Sequence, residues 1–180
     1  MRKRNAGRNE PAANPSLSPE EKRRRVFQRA IKLLAAKPRS VAELRERLLV
    51  GRGATEAVVR EVIDRLREYG YLDDERYAFG YASLRVKQKP LGRKRLERDL
   101  MLRKVERKVA DEALDLVFKE TSEEELIDRA IAKRVHLRGR PQTREDARKL
   151  FDHLLRQGFA FELVSEKVRA AARADIDEEI

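Results

Sequence analysis

One short pattern, made of a basic residue, a proline, any residue and a small helix-starting residue, occurs three times at nearly equal intervals. The three copies are Lys37-Pro38-Arg39-Ser40, Lys89-Pro90-Leu91-Gly92 and Arg140-Pro141-Gln142-Thr143, and their prolines lie 52 and 51 residues apart. Proline interrupts a helix, and a small capping residue favours the start of the next one. Similarity within a chain at such a period is typical of a repeat array. The chain is therefore expected to fold as three tandem repeats.

Capping residues and helix breakers divide each repeat into three helices, and no alternating strand pattern of useful length is present. The predicted starts are Ser18, Ser40 (in a capping box with Glu43), Thr55, Asp73, Gly92, the turn at Lys104-Val105, Thr121-Ser122, Thr143 and the turn at Gly158-Phe159. The predicted stops are Pro38, Gly51 with Gly53, Gly70, Gln88, Glu120 and Gly139-Arg140-Pro141. The third repeat is longer by up to about one helical turn before Gly158.

These signals predict an all-α fold with defined segments. A basic arm over residues 1–18 is expected to be disordered, because it has almost no large apolar side chain. The three-helix repeats are predicted at 19–72, 73–120 and 121–173, and an acidic tail at 174–180.

Composition limits the shape and the partners of the chain. Charged residues make up 42% and hydrophobic residues 41% of the sequence, whereas about 25% charged residues is usual for a globular domain. An elongated helical molecule with much solvated surface fits this balance. The formal net charge of +11, from 43 basic and 32 acidic residues, indicates contact with nucleic acid or an acidic protein surface. A merely solvated surface of mixed charge is the alternative.

Several classes of protein are disfavoured. The sequence contains no cysteine and only two histidines, so neither disulfides nor a metal cluster is expected. No apolar run approaches the roughly 20 residues that span a bilayer, and the basic N-terminus lacks the apolar segment of a secretory signal. A cytoplasmic chain without a membrane partner is expected. No phosphate-binding loop or HExxH motif is present, so neither catalysis nor a cofactor is predicted.

The best candidate for a binding site lies in the stretch from Gly70 to Leu96 and just beyond it. Basic residues surround the second proline of the repeat, and we predict that they contact an anionic partner such as nucleic acid: Arg85, Lys87, Lys89, Arg93, Lys94, Arg95 and Arg98. Gly92 is expected to let a partner approach the backbone closely. The helix N-terminus at this point favours an anion such as a phosphate.

Other features of the same stretch allow two interpretations. Asp73-Asp74-Glu75 is interpreted as a helix start rather than a metal site, because consecutive helical residues point in different directions. Tyr77 and Tyr81 are expected to pack in the core, with base stacking as the alternative. Ser40 to Leu72 also looks like part of a winged-helix DNA reader, but a further helix at Asp73 and the repetition argue against this interpretation.

Three motifs of the chain resemble those of a known family. The first is Arg39-Ser40-Val41-Ala42-Glu43-Leu44. The second and most specific runs from Gly70-Tyr71-Leu72-Asp73-Asp74-Glu75-Arg76-Tyr77-Ala78 through Lys89-Pro90-Leu91-Gly92 to Arg95-Leu96. The third is Arg156-Gln157-Gly158-Phe159 with Glu162 and Val164. The family that these motifs resemble is RecX, the regulators of the RecA recombinase, and the resemblance covers about residues 24 to 172.

The resemblance implies three tandem three-helix repeats in an elongated, curved array. It also implies a role in recombination, DNA repair and the SOS response, in which the protein occupies the groove of the RecA filament on single- or double-stranded DNA. There it would suppress ATP hydrolysis and strand exchange or promote disassembly. We expect a monomer, and no catalytic residue is implied. A helical module that binds nucleic acid alone, through phosphates, is the alternative.

One departure from the family pattern concerns a turn. The second repeat of the family usually has a glycine where Lys104 stands. The turn at Lys104 is therefore expected to differ in shape.

Overall fold

The computed structural model describes residues 17–51 and 54–173, and every regular element in those two ranges is an α-helix. The helices are α1 (Pro19–Ala36), α2 (Val41–Leu49), α3 (Glu56–Glu68), α4 (Asp74–Gln88), α5 (Arg93–Leu102), α6 (Arg107–Glu120), α7 (Glu123–Arg138), α8 (Arg144–Gln157) and α9 (Phe161–Arg173). The predictions made for the basic arm up to residue 16, for Gly53 and for the acidic tail lie outside the described residues.

Most helix starts use a side-chain cap at the residue predicted from the sequence. At α1, the Ser18 hydroxyl accepts a hydrogen bond from the Glu21 amide at 3.2 Å, and the Glu21 carboxylate accepts one from the Ser18 amide at 2.9 Å. The other caps that accept from a backbone N–H of the first turn are Ser40, Thr55, Asp73, Ser122 and Thr143. Such caps satisfy backbone donors that a helix cannot pair internally.

The capping box predicted at Ser40 is only half formed. The Ser40 hydroxyl accepts from the Glu43 amide at 3.1 Å, but the Glu43 carboxylate pairs with Arg39 and lies 3.7 Å from Lys37 Nζ. Burial raises the pKa of Glu43, but the positive charges of Lys37 and Arg39 outweigh it and hold that pKa below its usual range. The reciprocal bond was wrongly predicted because nearby cations attract a carboxylate more strongly than one amide does.

The turns after α3, α5 and α8 share one form. Gly70, Lys104 and Gly158 all have positive φ, at 69°, 60° and 89°. In the α5 turn, the Lys104 amide donates to the Met101 carbonyl at 2.8 Å, and the Val105 amide donates to the Leu100 carbonyl at 3.2 Å. This is the Schellman pattern of a left-handed cap. The expectation of a different turn at Lys104 is wrong, since lysine adopts the glycine conformation there.

The helices pack in threes. In the part of the chain that the structure describes, every helix pair with more than marginal contact lies within α1–α3, α4–α6 or α7–α9. The predicted extra turn of the third repeat is present, because α8 has 14 residues and α5 has 10. The segment boundaries and the curved outline remain predictions.

Within residues 17–51 and 54–173, the hydrophobic core consists of two clusters rather than three. One belongs to the first repeat and includes Leu44, Leu48 and Leu66, all fully buried. The other runs through the second and third repeats without interruption, with Leu96 on α5 and Phe159 after α8 among its members. The contact between the second and third repeats, which we call the second joint, therefore includes a shared apolar core. The contact between the first and second repeats, the first joint, does not.

Candidate nucleic-acid or filament interface

The seven basic residues predicted as a contact surface divide into two groups in the structure. Four of them, Lys87, Lys89, Lys94 and Arg98, are exposed at the end of α4 and along α5. The other three, Arg85, Arg93 and Arg95, are partly buried and form ion pairs within the chain. We call the four exposed residues the α4–α5 basic surface. Of the seven, these four are exposed, and none of them forms an ion pair with a carboxylate of the described residues.

Asp99 compensates two of the paired cations. Its carboxylate lies 3.1 Å from Arg95 Nε and 3.9 Å from Arg85 Nη2. It also accepts a hydrogen bond from the Tyr81 hydroxyl at 3.2 Å. Only 12% of the Asp99 side chain is exposed, so the carboxylate organises the contact between α4 and α5. Asp99 was not predicted from the sequence, although the four-residue spacing of Arg95 and Asp99 is a signal for a helical ion pair.

Arg93 links α5 to α6 through its side chain and to α7 through its backbone. Its Nη1 lies 2.7 Å from Asp115 Oδ1, and its Nη2 donates to the Asp111 carbonyl at 3.4 Å, both on α6. Its backbone N–H donates to Glu123 Oε1, at the start of α7, at 3.0 Å. Arg93 thus holds α5 in place, and its charge is largely compensated.

The N-terminus of α5 is filled by groups of the same chain. The Gly92 amide donates to the Gln157 carbonyl at 3.0 Å, and the Lys94 amide donates to the Gly158 carbonyl at 3.1 Å. The Arg93 amide between them binds the Glu123 carboxylate. An anion at a helix N-terminus is favourable, but here the anion is internal. The prediction of a phosphate site at these amides is therefore wrong.

The close approach predicted at Gly92 does occur, but toward the third repeat. A Cβ atom on Gly92 would lie 2.3 Å from the Phe159 amide nitrogen and 2.4 Å from the Gly158 carbonyl oxygen. A Cβ atom on Gly158 would lie 2.3 Å from the Arg95 amide nitrogen. Two glycines on facing segments thus let the backbones of the second and third repeats touch.

Tyr77 and Tyr81 pack as the sequence analysis predicted. Both are partly buried against the larger core cluster, and their ring centroids lie 6.4 Å apart with planes 24° from parallel. The guanidinium of Arg103 lies 4.3 Å from the centroid of the Tyr81 ring. Burial raises the pKa of Tyr77, although the Arg103 charge opposes this. Because these rings stack on each other and on an arginine, they are poorly placed to receive a base.

The acidic start of α4 is a helix cap and a joint, as the packing of its carboxylates demonstrates. Asp73 Oδ1 accepts from the Arg76 amide at 2.9 Å. Asp74 Oδ1 accepts from the Val41 amide of α2 at 2.8 Å. Burial raises the pKa of Asp74, although the bond from Val41 opposes it. The two carboxylates thus have separate backbone partners in different repeats.

Polar contacts dominate this first joint. Besides the Asp74 bond to Val41, the Ser40 hydroxyl donates to the Arg103 carbonyl, and Lys104 pairs with Glu46 of α2. The second joint, in contrast, combines backbone contacts at Gly92 with a shared apolar core.

The fold and the surface together define a class of protein: an all-helical array of three-helix units with exposed cations on α4 and α5. Comparison with known families makes this more specific. The family models for the first and the second three-helix domains of RecX match residues 27–66 and 73–114. A Regulatory protein RecX from Chlorobium limicola is 32% identical over 140 residues, which cover 77% of this chain and 84% of that protein. The chain belongs to the RecX family of regulatory proteins.

Other relatives agree with this assignment. A Regulatory protein RecX from Treponema pallidum is 38% identical over 104 residues, which cover 58% of this chain. The alignment spans 63% of that relative, slightly less than two thirds of its length. The crystal structure of RecX from Lactobacillus salivarius superposes with a TM-score of 0.75 at 18% identity, over 86% of this chain and 99% of that one. The structural likeness supports the fold.

Among the described residues, none of the helices is both long and apolar enough to cross a membrane.

Proposed function

We propose that this chain is a non-enzymatic regulator that binds the RecA–DNA filament and inhibits or modulates its recombinase and ATPase activities in DNA repair. The observation that carries the proposal is the match to the RecX regulatory family across both family-model domains and most of a curated relative. The protein acts as a monomer in the cytoplasm and requires no cofactor.

The charge distribution supports contact with a filament. The net charge is +11, and the α4–α5 basic surface has four exposed cations at the end of α4 and along α5. A filament groove offers both acidic protein surface and DNA phosphates, and a curved array of repeats follows such a groove better than a globule does. Because such binding is partly electrostatic, it weakens as the salt concentration rises.

The test of the proposal is DNA-dependent ATP hydrolysis by the cognate RecA. We expect this chain to slow hydrolysis at concentrations well below those at which it binds bare DNA. The exposed cations also favour a second function, a helical module that binds nucleic acid alone. Tight binding to bare DNA with no effect on RecA at saturating protein would establish that second function instead.

The contribution of the basic surface is tested by reversing two of its charges, Lys94→Glu with Arg98→Glu. Both side chains are exposed on α5, so the fold is unaffected, and the double variant is expected to bind the filament about 10-fold more weakly. Arg93 and Arg95 are left unchanged because their ion pairs hold α5. The measurements are filament affinity and helical circular dichroism.

A matched control changes the same number of charges on another helix. Arg107→Glu with Lys108→Glu reverses two cations of α6 whose side chains are 78% and 79% exposed. The control is expected to retain most of the filament affinity. Equal loss in both double variants would mean that net charge, and not the α4–α5 basic surface, determines binding.

A further inference from the structure

A groove lies where the first repeat meets the second, and its residues differ from those of the α4–α5 basic surface. We call it the joint groove, and it is lined by Leu34, Pro38, Tyr71, Tyr77, Gly80 and Leu84. Tyr71 is 62% exposed and Leu84 is 54% exposed. Two large apolar side chains thus border one open groove, and exposed apolar surface rimmed by polar groups is characteristic of binding sites.

Gly80 is a glycine that the fold does not require. It lies in the middle of α4, away from either end, and it has no positive φ. A Cβ atom added at Gly80 would meet nothing within 4 Å. Because glycine inside a helix costs about 1 kcal/mol relative to alanine, α4 would be more stable with almost any other residue. The missing side chain leaves open space in the groove, which a bound partner could use.

The rim of the groove is positively charged. Lys37, Arg39, Arg76 and Arg103 border it, and Asp73 has the one carboxylate among the described residues of its lining. Glu43, outside the lining, pairs with Arg39 and lies 3.7 Å from Lys37 Nζ. The Asp73 carboxylate caps α4 by accepting from the Arg76 amide. The Arg76 guanidinium donates to the carbonyl of Gly70, which is a neutral group. The positive charge at the rim is therefore only partly compensated, and it complements an acidic occupant.

The aromatic rings in this region indicate a protein occupant rather than a nucleic acid. A base would need a free aromatic face, but Tyr77 and Tyr81 stack on each other, and Arg103 covers Tyr81. The exposed Tyr71 packs edge-to-face with Tyr69, with ring centroids 6.3 Å apart. What the groove offers is a short apolar slot over Gly80 with cations at its edge. A large apolar side chain flanked by carboxylates fits that arrangement, as anchor residues do at other protein interfaces.

We propose that the joint groove binds an acidic segment of a RecA subunit, which places a large apolar side chain over Gly80. This inference rests on the proposed function and adds that two surfaces of the chain bind different parts of the filament. The joint groove contacts protein, and the α4–α5 basic surface contacts phosphates. The partner's carboxylates lie next to Arg76 and Arg103.

The experiment fills the groove without disturbing the fold. Gly80→Gln is expected to raise the melting temperature of the free protein, because glutamine is a better helix former than glycine. The same substitution is expected to weaken binding to a cognate RecA filament on single-stranded DNA by about 10-fold, because the new side chain occupies the slot. The affinity for bare single-stranded DNA stays unchanged. A Gly80→Gln variant that is more stable but binds the filament more weakly has lost binding because the groove is filled, and not because the fold is damaged.

A second pair of variants removes an apolar wall and provides a matched control. Leu84→Gln is expected to weaken filament binding in the same way. Leu116→Gln changes a leucine of α6 with nearly the same exposure, 55% against 54%, but outside the groove lining, and it is expected to leave binding intact.

The outcomes are distinct. If Gly80→Gln and Leu84→Gln bind the filament as tightly as the wild-type protein does, the groove assignment is wrong and the proposed function stands. If the affinity of both variants for bare single-stranded DNA falls as much as their affinity for the filament, the groove binds nucleic acid and the assignment is wrong. If the wild-type protein itself does not bind the filament, both the proposed function and the groove assignment fail.

Discussion

Lys104 is the one non-glycine residue with positive φ in the described ranges. An L-residue in this left-handed conformation costs about 1–2 kcal/mol. The lysine side chain returns little of that energy, because its pair with Glu46 is about half exposed and exposed ion pairs contribute at most about 1 kcal/mol. The turn thus keeps its shape because the Schellman bonds and the buried Val105 that follows outweigh local strain.

The strain at Lys104 predicts a difference between two substitutions. Both Lys104→Ala and Lys104→Gly remove the pair with Glu46, but only glycine removes the steric cost of positive φ. The glycine variant is expected to be more stable than the alanine variant by about 1 kcal/mol. Urea denaturation followed by circular dichroism measures this difference. Equal stabilities would show that the turn relaxes when lysine is absent.

For single residues, contacts between neighbours in the sequence could be predicted, and contacts between distant residues could not. Caps such as Ser18 and Thr143 were predictable, because a cap and its amide lie three residues apart. The partner of the Arg93 amide was not, because Glu123 lies 30 residues away and only tertiary packing brings it to α5. The same reason explains why Arg85 and Arg93 were predicted together with the four exposed cations, because their partners Asp99 and Asp115 become neighbours only in the fold. The partner of Arg95 is Asp99, only four residues away, and this local signal was missed.

At the scale of the helix, α5 is held in place mainly by the hydrogen bonds of its first turn. It has no side-chain cap at Gly92. Its amides are instead satisfied by the Gln157 and Gly158 carbonyls and by Glu123. This helix start is therefore formed by the next repeat, and α5 depends on the third repeat for its stability.

Gly92→Ala tests this dependence. The added Cβ would meet the backbone of Gly158 and Phe159 at 2.3–2.4 Å, and the backbone has no rotamer with which to move away. We expect a loss of about 3 kcal/mol in unfolding free energy. Gly80→Ala is the control, because it changes a helix glycine in open space and is expected to stabilise by up to about 1 kcal/mol. Unfolding free energies that shift in the same direction would contradict this account of the two glycines.

Helix positions were predicted better than helix contacts. Proline and glycine mark where α1, α3 and α7 end, and these signals are local. The proline pattern placed Gly92 at the start of α5 correctly, but the glycine was interpreted as space for a partner. Its real neighbour is Gly158, 66 positions further along the chain, and no periodic pattern reveals such a pairing.

At the scale of the whole molecule, the part of the chain that the structure describes has three repeats but two hydrophobic cores. The first repeat keeps its own core, around Leu44 and Leu66. The second and third share one core that contains Leu96 and Phe159. Contacts between the first and second repeats are mainly polar, so the chain is expected to unfold in two cooperative units. In a repeat protein, stability depends on such interfaces between neighbours as well as on each unit.

Hydrogen exchange on two core variants distinguishes these units. Leu44→Ala removes a fully buried side chain and is expected to cost about 3 kcal/mol. In the Leu44→Ala variant, protection of amides from hydrogen exchange is expected to be lost within residues 19–72, while the amides of α4 to α9 stay protected. Phe159→Ala is expected to weaken protection in α4 to α9 together, with α1 to α3 unchanged. Loss of protection along the entire chain in both variants would indicate a single cooperative unit.

The unequal joints have a consequence for how such a chain can gain or lose parts by gene rearrangement. A deletion that removed α1 to α3 would uncover mostly polar groups, such as Asp74 and the Arg103 carbonyl, which water can solvate. A deletion that removed α7 to α9 would leave the amides of α5 without acceptors and open the core at Phe159. Changes in repeat number are therefore tolerated more easily at the N-terminal end than at the C-terminal end.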